Sequence, residues 1–404
     1  MPASSSSLRS PQRADLASST VDATRACFDE HFEAADEASP VVVYQQAPLA
    51  IQADHTHYSE GFALFAGLPH GVAVIARSSS DELSRLAASD MPARVALPPD
   101  EPPRTDATMT TRVVHALLAA TSGPPPALDI AVAHALPNAC RDAYAAALAR
   151  AVHRAIVQCV PASAGPPFDA SFVPIAQSVL ADTQGRPYSN AYPLAVSNAA
   201  HPDGHLAPFV LVDTPEHDAL PVPAQHNDAL QWGFFAPGAP AQYTPATSEH
   251  RKQRVQAALA ALQSTEDFAE LNTFSSLEHR ALDRALRQVA PEHRPIVRHL
   301  VTENRRVQKH VVALRHGDGQ MSGALLHMTH ASLQTTWDGA SAAANFLVRQ
   351  AKGYTEAGLY GAGMTARDGY VLTVGRRPAY PARIHTLCER YEATFHHPVP
   401  FIAL

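Results

Sequence analysis

Lysine is nearly missing from this chain. Of its 31 basic residues only Lys252, Lys309 and Lys352 are lysines, and 38 acidic residues carry the net charge to −7. Nucleic acids and anionic membranes call for a basic surface, so neither is an expected partner. The bias toward arginine and alanine fits genome composition better than any chemistry. Cysteine is also scarce. The four cysteines, at positions 27, 140, 159 and 388, form no CxxC pair and no zinc spacing. They are expected to be free thiols in a reducing cytoplasm. No run of about 18 apolar residues occurs, and the leading MPASSSSLRSPQR has no apolar stretch of the signal-peptide kind. These absences together point to a soluble, intracellular chain.

What is present suits an ordinary globular protein: 46% hydrophobic and 17% charged residues in a length of 404. That length suggests two or three domains, with one large α/β domain as the competing reading. The 22 histidines raise the question of metal. They are densest at Asp54-His55-Thr56-His57 and His396-His397. A His-x-His pair on a strand directs both rings to one side. A metal site needs third and fourth ligands as well, and the sequence nominates none, so no metal is expected.

Periodicity divides the chain into elements. Residues 1–20, rich in serine and small side chains, read as a disordered lead. Val21, Phe28, Phe32 and Ala35 fall on one face of a first helix. Strands are expected at 41–44, 71–76, 130–133 and 209–212, the last buried on both faces because its apolar run is continuous. Residues 98–107 read as a loop. Helices are expected at 110–120 and 142–157, and a domain boundary near Gly165-Pro166-Pro167. From His250 onward helices dominate, at 251–262, 277–288, 294–314, 322–333 and 339–352. Strands at 357–362 and 370–374, a helix at 378–391 and a strand at 399–404 close the chain. The layering is α+β in two halves, residues 21–165 and 166–404.

Four segments, in order across nearly the whole chain, resemble galactokinase, a GHMP sugar kinase. The first runs from Ala47 to Gly61, APLAIQADHTHYSEG, against the family's APGRVNLIGEHTDYNGG. The second is Leu136-Pro137 and its following helix, where the family has LP and then GAGLSSSAAL. The third, Phe172 to Gln177, falls where the family has CGIMDQ. The fourth comprises RHLVTENRRV from Arg298 to Val307, HASL from His330 and YGAGMT from Tyr360. The resemblance implies a two-domain GHMP fold with a ribosomal-protein-S5-like first half. It also implies a sugar and a nucleotide bound in the cleft between the halves.

Phosphoryl transfer is mostly positioning and charge neutralisation. The family wraps phosphate in a Gly/Ser-rich loop at a helix N-terminus. This chain has Asn138-Ala139-Cys140-Arg141-Asp142-Ala143-Tyr144 there, without glycine or serine. Asp142 reads as a helix N-cap or first-turn acid, and only Arg141 is left to attract an anion. The family's catalytic arginine has no counterpart between Ala47 and Glu60, and its catalytic aspartate falls at Ala176. Asp169 and Asp182 are the neighbouring acids that would have to substitute. By the resemblance, sugar binding falls to Asp54, His55, His57 and Tyr58, with His57 where the family has an aspartate. Tyr243 lies near the position of a further sugar tyrosine. The last glycine loop reduces to Ala366-Arg367-Asp368-Gly369, which reads as a tight hairpin. The leading reading is a galactokinase-like pseudokinase with no cofactor, binding a sugar or a protein partner. Two alternatives stay open. One is an active kinase with substitute residues, using ATP and magnesium to phosphorylate galactose at its anomeric hydroxyl. The other is a regulatory partner of a true galactokinase.

Overall fold

The computed structural model describes residues 13–33, 39–79, 81–104, 106–137, 140–160, 166–198, 201–224, 229–237, 245–337, 340–365 and 369–404. Its spine is a pair of long antiparallel strands, β1 (Val41–Gln52) and β2 (Phe62–Ser78). They pair from Val41 opposite Ala76 to Gln52 opposite Leu64. The other side of β2 is shared. Val72 to Ser78 pair with β5 (Leu128–His134), and Phe62 to Ala66 with β6 (Phe209–Asp213). Strands β3 (Ser84–Ala88), β4 (Val95–Leu97) and β7 (Asp218–Val222) complete a seven-stranded sheet, in which β3 runs parallel to β5. The stretches Ala63–Ala66 and Val72–Ala76 are apolar throughout and fully buried, as a strand covered on both faces requires.

One cover is α1 (Arg13–His31), with Phe28 and Phe32 against Ile75, Ala87 and Ala131. Beneath it Asp129, 1% exposed, holds Arg77 at 3.1 Å and Arg85 at 2.7 Å. Those guanidiniums lie over the rings of Phe28 and Phe32; Asp129 answers both, and Asp81 also pairs with Arg85 at 2.7 Å, so the two cations beside the helix have two carboxylates. The other cover is α2 (Met109–Ala119), α3 (Arg141–Cys159), α4 (Phe172–Gln184) and α5 (Ala191–Asn198). Alanines 145, 146, 147, 149 and 151 of α3 are fully buried, which lets this helix lie close to β1 and β2.

Strands β8 (Leu230–Phe235), β9 (Leu359–Met364), β10 (Val371–Arg376) and β11 (Phe401–Ala403) form a second, antiparallel sheet in the order β11-β8-β10-β9. Around it lie α6 (Pro245–Gln263), α7 (Leu282–Gln288), α8 (Arg294–His316), α9 (Gly319–Thr336), α10 (Ala342–Lys352) and α11 (Tyr380–Phe395). Helix α8 buries Ile296, Val297, Leu300, Val301, Val307, Val311 and Leu314 at the i, i+3, i+4 spacing of an amphipathic helix. It ends at Gly317 in the left-handed region, and Asp318 caps α9 by accepting from the Met321 amide at 2.8 Å. The mixed α/β architecture of the sequence reading is present.

Four expectations change. Residues 13–20 are helical, so the disordered lead does not extend to 20; residues 1–12 lie outside the described residues, as does Ala35. The expected break near 165 does not separate the sheets, because β6 and β7 join the first one. The change of sheet falls between Val222 and Leu230. One core takes in Leu64 and Leu148 from the first half with Trp232, Val307 and Leu372 from the second, so the halves are fused rather than strung together. The strand at 209–212 is not buried throughout, since Leu211 is half-exposed and the next strand, β7, is an edge. The expected helix at 277–288 is shorter, with two 3-10 turns, Phe274–Ser276 and His279–Ala281, preceding α7.

Helix α9 and strand β9 approach closely, backbone to backbone. A Cβ on Gly323 would stand 2.3 Å from the backbone carbonyl of Tyr360. Alanine would gain about 1 kcal/mol of helix propensity. It would also force two backbones apart, at a cost of about 1–3 kcal/mol or more. Gly323→Ala is expected to lower the denaturant midpoint, with a net loss of stability of up to ~2 kcal/mol.

Candidate binding site

Between β1 and β2 the chain makes a turn-rich loop, residues 54–60. His55 (φ 62°) and Glu60 (φ 55°) lie in the left-handed region, which costs a non-glycine residue about 1–3 kcal/mol unless its surroundings fix it. His55 is fixed. Its ring stacks on Trp337 at 3.8 Å, meets His299 edge-on at 5.5 Å, and its Nδ1 bonds the Tyr58 hydroxyl at 2.5 Å. The Thr56 carbonyl accepts from the amides of Ser59 and Gly61, each at 3.1 Å. The two histidines are therefore on a turn and not on a strand. His57 donates from Nδ1 to the Ala53 carbonyl, so its neutral tautomer keeps Nε2 as an acceptor.

Helix α8 holds this loop from below. His299 donates from Nε2 to the Asp54 carbonyl at 3.2 Å, and its Nδ1 accepts from Ser332 at 2.8 Å. Asn304 accepts from the Phe62 amide at 2.9 Å where β2 begins. A buried chain of bonds then runs along the helix. Arg306 reaches Glu303 at 2.6 and 2.7 Å. Thr329 donates to Glu303 at 3.0 Å, and Gln52 donates to Thr329 at 2.8 Å. His310 donates to Gln52, also at 2.8 Å. The RHLVTENRRV segment thus supplies internal supports, and none of its residues lines the cavity beside the loop.

That cavity measures about 730 Å³. Its walls are the loop, the segment 186–190, the β6–β7 turn and one face of α6. His55, His57 and Tyr58 line it. Asp54 is 4% exposed and stands behind the wall, as the carbonyl partner of His299. Arg141 is exposed at the start of α3 and is not among the lining residues. Ala176 is wholly buried in the core, while its neighbour Gln177 reaches the wall and donates to the Tyr188 carbonyl at 3.0 Å. Asp169 and Asp182 are exposed and off the wall. Tyr243 and residues 138, 139 and 366–368 lie outside the described residues. Among the described residues, no three His, Cys, Asp or Glu side chains converge as a metal would need. None of the described helices is long and apolar enough to cross a membrane, and the four cysteines are unbridged.

The sequence reading missed the cations of this cavity, Arg186, Arg251 and Lys252. Arg186 had a readable signal. Gly185 ends α4 at φ 62°, with the Arg186 amide reaching back to the Ala181 carbonyl at 3.2 Å, a glycine-terminated helix end. That turn sends Arg186 to Asp142, 2.6 Å away and 1% exposed, in the first turn of α3. Asp142 is therefore a first-turn acid, the N-cap being Cys140. Tyr144 packs inward, its hydroxyl 2.6 Å from that of Thr110.

Over 95% of its length the chain superposes on 96% of Lactococcus lactis galactokinase complexed with galactose, with a TM-score of 0.77 and 18% identity. The fold is that of galactokinase. Methanococcus jannaschii mevalonate kinase is similar over 91% of this chain and 98% of its own, with a TM-score of 0.54 and 9% identity. Homoserine kinase from Cytophaga hutchinsonii is similar over 93% and 96%, with a TM-score of 0.51 and 13% identity. No protein-family model and no curated protein sequence matches the chain. At these identities the likeness is one of architecture. Within the galactokinase-like fold, the loop at 54–60 and the segment 186–190 face each other across the cavity.

Two of the loop's supports refuse protons. Burial pushes His299 down to about 4 and His310 to about 3, against an ordinary 6.5. Unfolding frees both rings, so the unfolded chain binds protons that the folded chain excludes as pH falls below 6.5. Stability therefore rises with pH from about 4 to 6.5, by about 1.4 kcal/mol per unit for each ring. The urea midpoint is expected to drop across that window on acidification, and less steeply in His310→Gln. Glu303→Leu would strand Arg306, which is 6% exposed. It is expected to lose about 3–5 kcal/mol in a denaturant titration.

Proposed function

We propose that this chain is a galactokinase-like protein that binds a polyol in the cavity and does not transfer phosphate. The observation that carries this reading is the buried carboxylate of Asp142 in the first turn of α3, paired with Arg186. A helix start attracts phosphate through its free amides and its dipole. Here a side-chain anion already sits in that turn. A phosphate at this turn would have to compete with Asp142 for Arg186, whose guanidinium already lies 2.6 Å from that carboxylate. These residues do not fit MgATP, and no step is drawn through it. The acid is missing too. Ala176 offers a buried methyl group, and neither Asp169 nor Asp182 reaches the wall.

Polyol binding is supported by the hydroxyls, amides and rings around the cavity, with Ser189, Asn190, Tyr58 and His57 among them. It is supported as well by likeness of fold to a galactokinase that was captured with galactose. The unbridged cysteines suit a reducing compartment such as the cytoplasm. A second reading, a sugar kinase with substitute residues, draws on Arg251 and Lys252, two cations on the wall of the kind that phosphate transfer uses.

Purified chain incubated with ATP, magnesium and a panel of hexoses is expected to show no phosphorylation above background. Calorimetry is expected to show no binding of ATP. Sustained turnover of any hexose would overturn the proposal in favour of the second reading.

A further inference from the structure

Among the described residues of the cavity wall, cations outnumber carboxylates. Arg186, Arg251 and Lys252 reach it, and Glu60 is the one carboxylate among its described lining residues. Arg186 answers Asp142 behind the wall, and Arg251 and Lys252 line the cavity together with Glu60. Arg251 is 8% exposed, so its charge acts where an anion feels it more strongly than in open water. His55 adds no charge to the wall. Its ring is withdrawn from water, and its Nε2 has no hydrogen-bond partner. Burial, with His299, Arg251, His57 and Arg254 close by, keeps that ring neutral.

A neutral sugar presents hydroxyl donors that need acceptors, and carboxylates meet them best because each oxygen can take two bonds. His57 stands where the galactokinase resemblance places an aspartate, and a neutral imidazole accepts only one bond. Phosphate and carboxylate oxygens are acceptors only, and they form their shortest and strongest bonds with guanidinium and ammonium groups. We propose that the ligand of this cavity is an anionic polyol, a sugar bearing a phosphate or a carboxylate. Arg251 and Lys252 hold the charged group. His57, Ser189 and Asn190 meet the hydroxyls. This assignment rests on the polyol-binding reading above and names the class of its ligand.

Calorimetry on the full chain at low salt separates the outcomes, with a hexose 6-phosphate, a hexuronate, the parent hexose and inorganic phosphate as probes. At least one of the charged sugars is expected to bind about tenfold or more tightly than the parent hexose. That margin is expected to shrink as salt rises from about 20 mM to about 500 mM. Preference for the phosphate or for the uronate identifies which anion the site takes. Lys252 is half-buried, so Lys252→Gln leaves the core alone. It is expected to bring the charged sugar down toward the parent hexose, and Lys252→Arg to keep the margin. A parent hexose that binds as tightly as both charged derivatives overturns the anionic assignment and leaves the polyol reading standing. Inorganic phosphate binding as tightly as the hexose phosphate overturns it too, by showing an ion site without a sugar site. No binding by any of the three sugars overturns both.

Discussion

The arrangement depends on a line of buried polar bonds that begins at Arg306 and ends at His310, passing through Glu303, Thr329 and Gln52. Every link joins a different pair of elements or braces one of them. Glu303 and Arg306 belong to α8, Thr329 to α9, and Gln52 to the last position of β1. The charge on Glu303 is acceptable in the core because a guanidinium and a hydroxyl both answer it. The result is that β1 leaves the first sheet at a fixed point, and the loop of residues 54–60 starts from a rigid foundation. His299 and Asn304 then hold that loop at its two ends.

The elements with strong periodicity were legible in the sequence. Helix α8 was readable from its apolar spacing, and β6 from Phe209-Val210-Leu211-Val212. Those patterns record burial, which is what periodicity measures. Elements whose burial depends on distant partners were not legible. Helix α4 carries Pro174 in its first turn, α5 carries Pro193, and both are stabilised by packing against α3. Strands β3 and β4 are short and lie toward one edge of the sheet. The boundary near 165 followed a Gly-Pro-Pro cluster. A turn signal marks a local bend and carries no information about which sheet the next strand joins.

The site was half legible for a similar reason. The run from Asp54 to Tyr58 was visible as a motif, and three of its residues do line the cavity. The opposing cations were not: Gly185 marks a helix end beside Arg186, but the tertiary fold decides which wall Arg186, Arg251 and Lys252 reach. Asp142 was correctly read as an acid of the first turn in α3, yet its partner lies 44 positions along the chain. The departures from the galactokinase pattern fall at the run from Ala47 to Glu60, at 138–144, at Ala176 and at 366–369. Asp142 and Ala176 belong to α3 and α4, whereas the α8 supports keep their resemblance.

The cover formed by α1 has its own consequence. Phe28 and Phe32 shield Ile75, Ala87 and Ala131, and the same helix end lies over the two arginines that share Asp129. Trimming the chain past this helix would wet a greasy strip in the middle of the sheet. It would also hydrate a charge cluster that is now dry. Shortened versions of the protein should therefore keep everything from Arg13 onward, however dispensable that leading stretch looks beside the cavity.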